Sequence, residues 1–233
     1  MTVLISEKSL LSSDEIKVQE KLAIFLAFIA GYIDATGLIK WKTYVSFMSG
    51  NTTQLGAAFS SGKYGVIITS VTVIGSFLMG IYAGTCFSLW KKCSIKTIAF
   101  YIVSGILMLY TFINHYRQIP VIPSIAIIGF AMGMMNTIVT SVGTLKVNTD
   151  FVTGTLNSLA KNMAIFTMSN DENEKNEAKE NAIYLLLLWM GFLSGAVTAP
   201  FLLSILKNWI LLLPAVLLLT CRGLIFNSIT PKN

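Results

Sequence analysis

Residues 22–39 read LAIFLAFIAGYIDATGLI, an apolar run of 18 residues that contains one charged side chain, Asp34. A helix needs about 20 apolar residues to cross the hydrocarbon core of a bilayer. This stretch therefore predicts a membrane-spanning helix. Five further stretches have the same character, and the six predicted spans are residues 22–39, 65–90, 97–114, 121–143, 182–206 and 209–228.

The composition of the 233-residue chain agrees with a membrane location. Hydrophobic residues make up 54% of the chain and charged residues 12%, whereas a soluble domain carries about 25% charged residues. Of the eleven carboxylates, only Asp34 and Asp150 lie between residues 21 and 170. These features exclude a disordered chain, a nucleic-acid binder and an ordinary cytosolic enzyme. They predict an all-α polytopic membrane protein.

Two more apolar stretches, residues 44–60 and 150–168, are too short and too polar to count as spans. Because Lys and Arg collect at the cytoplasmic ends of spans, their distribution can decide whether these stretches cross. With six crossings and a cytosolic N-terminus, 12 of the 17 basic residues lie inside, against nine with eight crossings. We therefore expect about six spans, two short broken or re-entrant helices and cytoplasmic termini. The five basic residues then outside are Lys40, Lys42, Lys63, Arg117 and Lys207.

The chain also repeats itself weakly. Gly31-Tyr-Ile-Asp34 aligns with Gly133-Met-Met-Asn136, and Phe47–Gly50 aligns with Phe151–Gly154. Each half then contains three crossings, so the second half is inverted, as in many secondary transporters. The predicted organisation is a cytosolic leader, two repeats in a single membrane domain and a C-terminal tail, at residues 1–20, 21–118, 119–229 and 230–233.

Glycines supply the third repeated feature, because Gly80 and Gly84 align with Gly191 and Gly195. Small residues four apart allow two membrane helices to approach closely, so they are also a common feature of helix contacts without any repeat. We expect helix packing at six glycines: Gly31, Gly80, Gly84, Gly133, Gly191 and Gly195.

Asp34 and Asn136 occupy equivalent positions in otherwise apolar segments. An ionised carboxylate there costs about 2.5–3.5 kcal/mol on insertion scales, and the small residues on its helix face predict burial against another helix. One interpretation is a proton or cation site at the interface of the repeats. The second interpretation is a structural hydrogen bond to a backbone amide that a helix break has freed.

Ser49-Gly50-Asn51-Thr52 and Thr153-Gly154-Thr155 lie near the beginnings of the two short stretches. This pattern indicates half-helices that begin inside the membrane, where free N–H groups and the positive end of the helix dipole can bind an anion. The alternative is an ordinary N-cap at a bent helix. Together with Asp34 and Asn136, these seven residues form the predicted substrate-binding site.

The sequence predicts no catalytic residue, metal site or cofactor. It has one histidine, His115, in a predicted external loop, and three cysteines without a CxxC spacing. HExxH, GxSxG and phosphate-binding-loop motifs are missing from the sequence. We therefore expect a protein that is not an enzyme, with the lipid bilayer and a small solute as partners and no nucleic acid. The oligomeric state is left open.

Four motifs carry a resemblance to a known family: GYIDATGLI, FMSGNTTQLG, GMMNTIV and FVTGTLNSLA. Together they resemble the YoaK-like bacterial integral membrane proteins, over roughly residues 20–228. The resemblance implies a protein of the bacterial inner (cell) membrane and implies no substrate.

The leading hypothesis is a secondary transporter of a small solute, proton-coupled through Asp34. The half-helix ends favour a solute with a carboxylate or phosphate. The main alternative is a non-transporting scaffold, sensor or immunity-type protein, for which the predicted charged loop at residues 170–181 is a docking segment. A channel and a membrane enzyme are the two remaining hypotheses.

Overall fold

The computed structural model describes residues 13–89, 95–139, 141–142, 145–146 and 152–229. The tail at 230–233, most of the predicted leader and Asp150 lie outside these ranges. The described chain contains eight α-helices, a 3-10 turn at Lys207–Trp209, and two-residue strands Ser141–Val142 and Leu145–Lys146, which pair antiparallel. The helices are α1 Ser13–Trp41, α2 Met48–Ser61, α3 Tyr64–Leu89, α4 Ile95–Tyr116, α5 Val121–Met135, α6 Val152–Met168, α7 Glu172–Leu206 and α8 Leu212–Ile229.

Among the described residues, four helical segments are long and apolar enough to cross a membrane: Ile16–Trp41, Tyr64–Leu89, Ile98–Tyr116 and Glu172–Trp209. The apolar helices Val121–Met135 and Leu212–Cys221 are shorter. Large apolar side chains such as Tyr82 and Phe201 are about 70% exposed on the outer surface, as expected for groups that face lipid. The chain is thus an all-helical, multi-pass membrane protein, and the count of six spans stays a prediction.

Two predicted boundaries differ from the structure. The span expected at 121–143 is helical only as far as Met135. Just after this end, the Thr137 hydroxyl donates a hydrogen bond to the carbonyl oxygen of Met134 at 2.8 Å. The charged stretch 170–181, expected as a loop, is the beginning of α7. Asp171 caps this helix by accepting a hydrogen bond from the Asn173 amide at 2.8 Å, and acidic residues in the first turn favour the helix through its dipole.

Helices α1 and α7 cross with their backbones in contact. A Cβ atom at Gly31 would overlap the carbonyl oxygen of Phe192, and one at Gly195 would overlap the carbonyl oxygen of Phe28. Only glycine permits this approach, because any side chain would push the helices apart. The crossing therefore depends on a glycine from each helix.

Helices α3 and α5 cross in the same way. A Cβ atom at Gly80 would overlap the carbonyl oxygen of Phe130, and one at Gly133 would overlap the carbonyl oxygen of Phe77. The molecule thus contains two tightly joined helix pairs, α1 with α7 and α3 with α5.

The helices of each pair run in the same direction. Gly191 lies beside Ile24, and both residues precede the α1–α7 crossing. Gly129 lies beside Val73, and both precede the α3–α5 crossing. The beginnings of α1 and α7 are therefore at one end of the molecule, and so are the beginnings of α3 and α5.

Contacts between helix ends show which of these ends share a face. The ring of Trp41, at the end of α1, meets the ring of Tyr110 near the end of α4, with centroids 6.2 Å apart. Tyr110 donates a hydrogen bond to Ser124 near the beginning of α5, and His115 lies on Trp209 just before α8. We call this end the Trp41 face. This face contains the ends of α1, α4 and α7 and the beginnings of α3, α5 and α8.

Candidate functional site

The candidate site lies where the chain leaves α1 and begins α2. Helix α1 ends at Trp41, and Lys42 adopts the left-handed conformation with φ 58°. The chain then reverses, because Val45 and Ser46 lie against Asp34, seven residues before the end of α1. At 1.5 Å per residue, this reversal carries the chain about 10 Å back along α1. Helix α2 therefore begins well inside the molecule.

Asp34 holds the connection that leads into α2. Its Oδ1 accepts hydrogen bonds from the backbone amides of Val45 and Ser46, each at 2.8 Å, and its Oδ2 accepts one from the Ser46 hydroxyl at 2.7 Å. The side chain is only 4% exposed. These two amides belong to the connection just before α2, which begins at Met48, and an ionised carboxylate is a strong acceptor for buried amides.

Asn51 holds the same loop from the other side. Its Nδ2 donates to the carbonyl oxygen of Tyr44 at 2.8 Å, and its Oδ1 accepts from the hydroxyl of Thr43 at 3.0 Å. Asn51 is fully buried. Residues 42–47 are thus fixed between a side chain of α1 and a side chain of α2.

Of the predicted residues near the first break, the structure brings Asp34 and Asn51 to the loop at residues 42–47, where both form hydrogen bonds. The other predicted residues, Ser49, Gly50 and Thr52, form no hydrogen bond with this loop in the described structure. Ser49 and Thr52 are exposed, and the Thr52 hydroxyl donates to the carbonyl oxygen of Met48 at 2.8 Å. Gly50 instead faces the ring of Phe47. A ligand role for these three residues stays a prediction.

Sequence reasoning missed Thr43 and Ser46, which supply two of the hydroxyl groups of the network. The available signal was their position between Lys42, where the apolar run ends, and the beginning of the next helical stretch. Hydroxyl residues in such a connection commonly bond to nearby buried polar groups.

The second break is described in part. Asn136 is half-buried directly after the last residue of α5, and Thr155 is buried in the first turn of α6. Thr153 is exposed and Gly154 is partly buried. Residues 147–151, which precede α6, lie outside the described ranges. A substrate role for Asn136 and for the three residues Thr153, Gly154 and Thr155 therefore stays a prediction.

The geometry at Asp34 suits a proton better than a metal ion. Three of the roughly four lone-pair sites of the carboxylate already accept hydrogen bonds, which leaves little of it for a cation. A proton on Oδ2 could instead be shared with the Ser46 hydroxyl, which both donates and accepts. Among the described residues, no group of three His, Cys, Asp or Glu side chains is placed to hold a metal ion.

The six glycines predicted for helix packing all lie at contacts between elements. Gly31, Gly80, Gly133 and Gly195 meet the backbone of the neighbouring helix. Gly191 faces the carbonyl oxygen of Ile24, and Gly84 faces the side chain of Thr137. These glycines set the two helix crossings that surround the Asp34 loop.

Comparison with known proteins places the chain among membrane proteins of one family. It is 23% identical over 189 residues to the UPF0700 transmembrane protein YoaK of Bacillus subtilis (strain 168), covering 77% of this chain and 83% of that protein. It is 28% identical over 176 residues to the UPF0700 transmembrane protein RA0705 of Rhizobium meliloti (strain 1021), covering 76% and 72%. No solved structure matches the chain. The model of the family described as protein of unknown function (DUF1275) matches residues 22–224, so the chain belongs to this family.

Proposed function

We propose that the protein is a secondary transporter of a small solute, built from two inverted halves and proton-coupled through Asp34. One observation carries the proposal: the α1–α7 crossing and the α3–α5 crossing have the same construction. In each, one glycine from either helix meets the carbonyl oxygen of a phenylalanine on the other. Inverted repeats of this kind are typical of secondary transporters.

The repeated contacts support a pairing of residues between the two proposed halves. Gly31 corresponds to Gly133, because each meets the neighbouring helix through the phenylalanine carbonyl at the same place in the crossing. Gly195 corresponds to Gly80 for the same reason. The sequence alignment matches Gly80 with Gly191, one helical turn away. A glycine pair spaced by four residues can be aligned in either register, so the sequence could not distinguish the two.

The directions of the helices support six crossings. Helix α1 ends at the Trp41 face and α3 begins there. The segment between them, which contains α2, must therefore enter and leave the membrane at this same face. Helix α6 does the same at the opposite face, between the end of α5 and the beginning of α7. At 14 and 17 residues, these helices measure about 21 and 26 Å, which is shorter than the roughly 30 Å hydrocarbon core.

The charge distribution supports the orientation. Five basic residues belong to the Trp41 face and twelve to the opposite side under this topology, so the opposite side faces the cytoplasm. In a bacterial inner membrane the Trp41 face would then be external. Both termini would be cytoplasmic.

The proposed transport step is a movement of one helix pair against the other. Helix α2 packs on α3, yet its beginning is held by Asp34 of α1. The Asp34 hydrogen bonds therefore join the two pairs through residues 42–47. A proton on Asp34 would remove the negative charge that strengthens these bonds, and it would loosen the joint between the pairs.

The same geometry links the proton to an anionic solute. An ionised Asp34 lies beside the connection that leads into α2, so it would repel a carboxylate or phosphate at the beginning of that helix. A neutral Asp34 would admit one. We therefore expect the proton and the anion to be carried in the same direction.

The test compares metabolite pools inside and outside cells that express the parent, Asp34→Asn, Thr153→Ala or Asp171→Asn at equal membrane levels. Asp171 is the matched control, because it is also an aspartate that accepts a backbone amide but is exposed. We expect one solute to shift with the parent and the control and to lose this shift in Asp34→Asn. The proposal is wrong if the Asp34 and Thr153 variants transport like the parent.

A non-transporting scaffold is the second candidate. It is favoured by the complete use of Asp34 and Asn51 in hydrogen bonds that hold the fold. In that case no pool differs between cells with the parent and cells with an empty vector, although the protein is present in the membrane.

A further inference from the structure

The Trp41 face carries five basic side chains. Lys40 and Lys42 lie at the end of α1, and Lys63 lies between α2 and α3. Arg117 directly follows α4, and Lys207 directly follows α7. Four of the five are exposed and Lys40 is half-buried. Every connection between helices at this face falls within the described residues.

No described acidic residue is exposed at this face. Asp34 is the nearest carboxylate, and it is buried and occupied by three donors. The other carboxylates of the described chain lie in the first turns of α1 and in the capping residue and first turns of α7, at the opposite face. The one salt bridge found in the described chain, between Lys175 and Glu172, also lies there. Within the described part of the chain, the Trp41 face therefore has five positive charges with no exposed counter-charge.

Two of these lysines occupy backbone positions that disfavour them. Lys42 has φ 58° and Lys207 has φ 50°, and they are the only residues other than glycine with positive φ in the described chain. Glycine is the usual residue at a positive φ, because the Cβ atom of any other residue meets the backbone there. The chain thus places a positive charge where conformational preference favours a different residue.

Interfacial anchoring alone does not explain the pattern. Lysines that anchor helices in the interface occur at both faces, together with acidic residues. Here the separation of charge sign is complete at one face. If that face is external, its five basic residues also oppose the preferred orientation of the chain.

We propose that the Trp41 face attracts the anionic solute, so that a small carboxylate- or phosphate-bearing anion enters or leaves the transporter there. The inference rests on the proposed transport function and adds the solute class and the face. A surface with one sign of charge raises the local concentration of oppositely charged ligands and speeds their association. A phospholipid headgroup has the same chemistry as a free phosphate anion, and the experiment must separate these two sources.

The local field is measurable with charged thiol reagents on the full chain in lipid nanodiscs. In a background with Cys86, Cys93 and Cys221 replaced by serine, Gln118→Cys places the only thiol beside Arg117. Asn176→Cys places it at the opposite face as the matched control. Both native residues are exposed. The reagents are sulfonatoethyl methanethiosulfonate, an anion, and trimethylammonioethyl methanethiosulfonate, a cation.

We expect the ratio of anionic to cationic reaction rates, relative to a free thiol, to be about tenfold at Gln118→Cys. This follows from five unit charges about 10 Å away in water at a Debye length of about 10 Å. The ratio should fall to about threefold when Lys42, Lys63 and Lys207 are changed to glutamine, because Lys40 and Arg117 remain. The corresponding changes Lys17→Gln, Lys175→Gln and Lys179→Gln should leave it unchanged. An equal ratio at Gln118→Cys and Asn176→Cys overturns the proposal.

The second arm identifies the ligand. In phosphatidylcholine nanodiscs, succinate or inorganic phosphate should slow the anionic reagent at Gln118→Cys more than sodium chloride of equal ionic strength does. A protection that arises only from added phosphatidylglycerol assigns the face to lipid headgroups and overturns the solute interpretation, as does no protection by either. None of these rates depends on transport, so this inference can fail while the metabolite-pool test succeeds, and the reverse.

Discussion

Replacing Asp34 should destabilise the protein in an order that the hydrogen bonds dictate. In Asp34→Ala, the amides of Val45 and Ser46 lose their acceptor while the surrounding residues remain buried. Each buried donor left without a partner costs about 1–3 kcal/mol. Removal of a buried carboxylate returns part of this cost, because its desolvation is relieved. We expect a net loss of about 3 kcal/mol.

Asp34→Asn should be milder. Its carbonyl oxygen can accept both amides, and its NH2 group can donate to the Ser46 hydroxyl, which then acts as an acceptor. The variant lacks the negative charge that strengthens these hydrogen bonds, so we expect the free energy of unfolding to fall by about 1 kcal/mol. The difference between the two variants separates the hydrogen bonds from the charge.

Thermal unfolding in detergent micelles, followed with a maleimide coumarin dye, measures this difference. With Cys86 and Cys93 replaced by serine, the remaining thiol is the buried Cys221, which reacts only when α8 opens. At about 2–4 °C per kcal/mol for a chain of this length, Asp34→Ala should lower the midpoint by roughly 6–12 °C. Asp34→Asn should lower it by roughly 2–4 °C.

Asp171→Ala is the control, because it also removes an aspartate that accepts a backbone amide, but at an exposed site. If Asp34→Ala lowers the midpoint no more than Asp171→Ala does, Asp34 does not hold the α2 loop as we describe. A loss as large in Asp34→Asn as in Asp34→Ala would show that the charge, and not the acceptor geometry, is what the loop requires.

The glycine crossings, the Asn51 hydrogen bonds and the topology each lead to a measurable outcome. Gly31→Leu and Gly133→Leu should each prevent accumulation of folded protein in membrane fractions, because the new side chain would overlap a carbonyl oxygen of the neighbouring helix. Gly75→Leu is the control and should accumulate normally, because the space around Gly75 is open. Asn51→Ala should lower the unfolding midpoint by roughly 4–8 °C, since two buried hydrogen bonds are lost at about 1 kcal/mol each, while Thr52→Ala on the exposed side of α2 should change it little. Lys63→Cys and Gln118→Cys should react with a membrane-impermeant maleimide in intact cells, whereas Asn176→Cys should react only after the cells are lysed. Labelling of all three variants in intact cells would contradict six crossings with cytoplasmic termini.

Apolar length predicted the membrane helices where polar residues bounded them. The span expected at 65–90 became α3, because Gly62 and Lys63 end the preceding helix and basic residues follow it. The boundary of α5 was missed because hydropathy does not register where Asn136 and Thr137 begin to bond to backbone groups. The stretch 170–181 was missed because charge was interpreted as a solvated loop, although Glu and Lys are good helix formers.

The partner of Asp34 could not be read from the sequence. A structural hydrogen bond to a freed amide is one of the two interpretations that the sequence allows, and the structure supplies that bond. However, Val45 and Ser46 are 11 and 12 residues beyond Asp34 and lie after the end of α1, so the periodicity of a helix or strand does not predict their contact with it. The contact arises only because the chain reverses after Lys42, and a reversal at a lysine carries none of the usual glycine signal.

The two helix crossings share a construction but differ at the residue that would sense a proton. Gly31 and Gly133 occupy equivalent places in the two crossings, and three residues after them lie Asp34 in α1 and Asn136 directly after α5. An amide does not take up a proton near neutral pH, so of this pair only Asp34 can do so. If the protein transports by moving one helix pair against the other, a proton would therefore loosen the Asp34 junction and would have no corresponding group to act on at Asn136. Coupling through this pair is then limited to one proton per cycle, and it requires the first half to move in the protonated step.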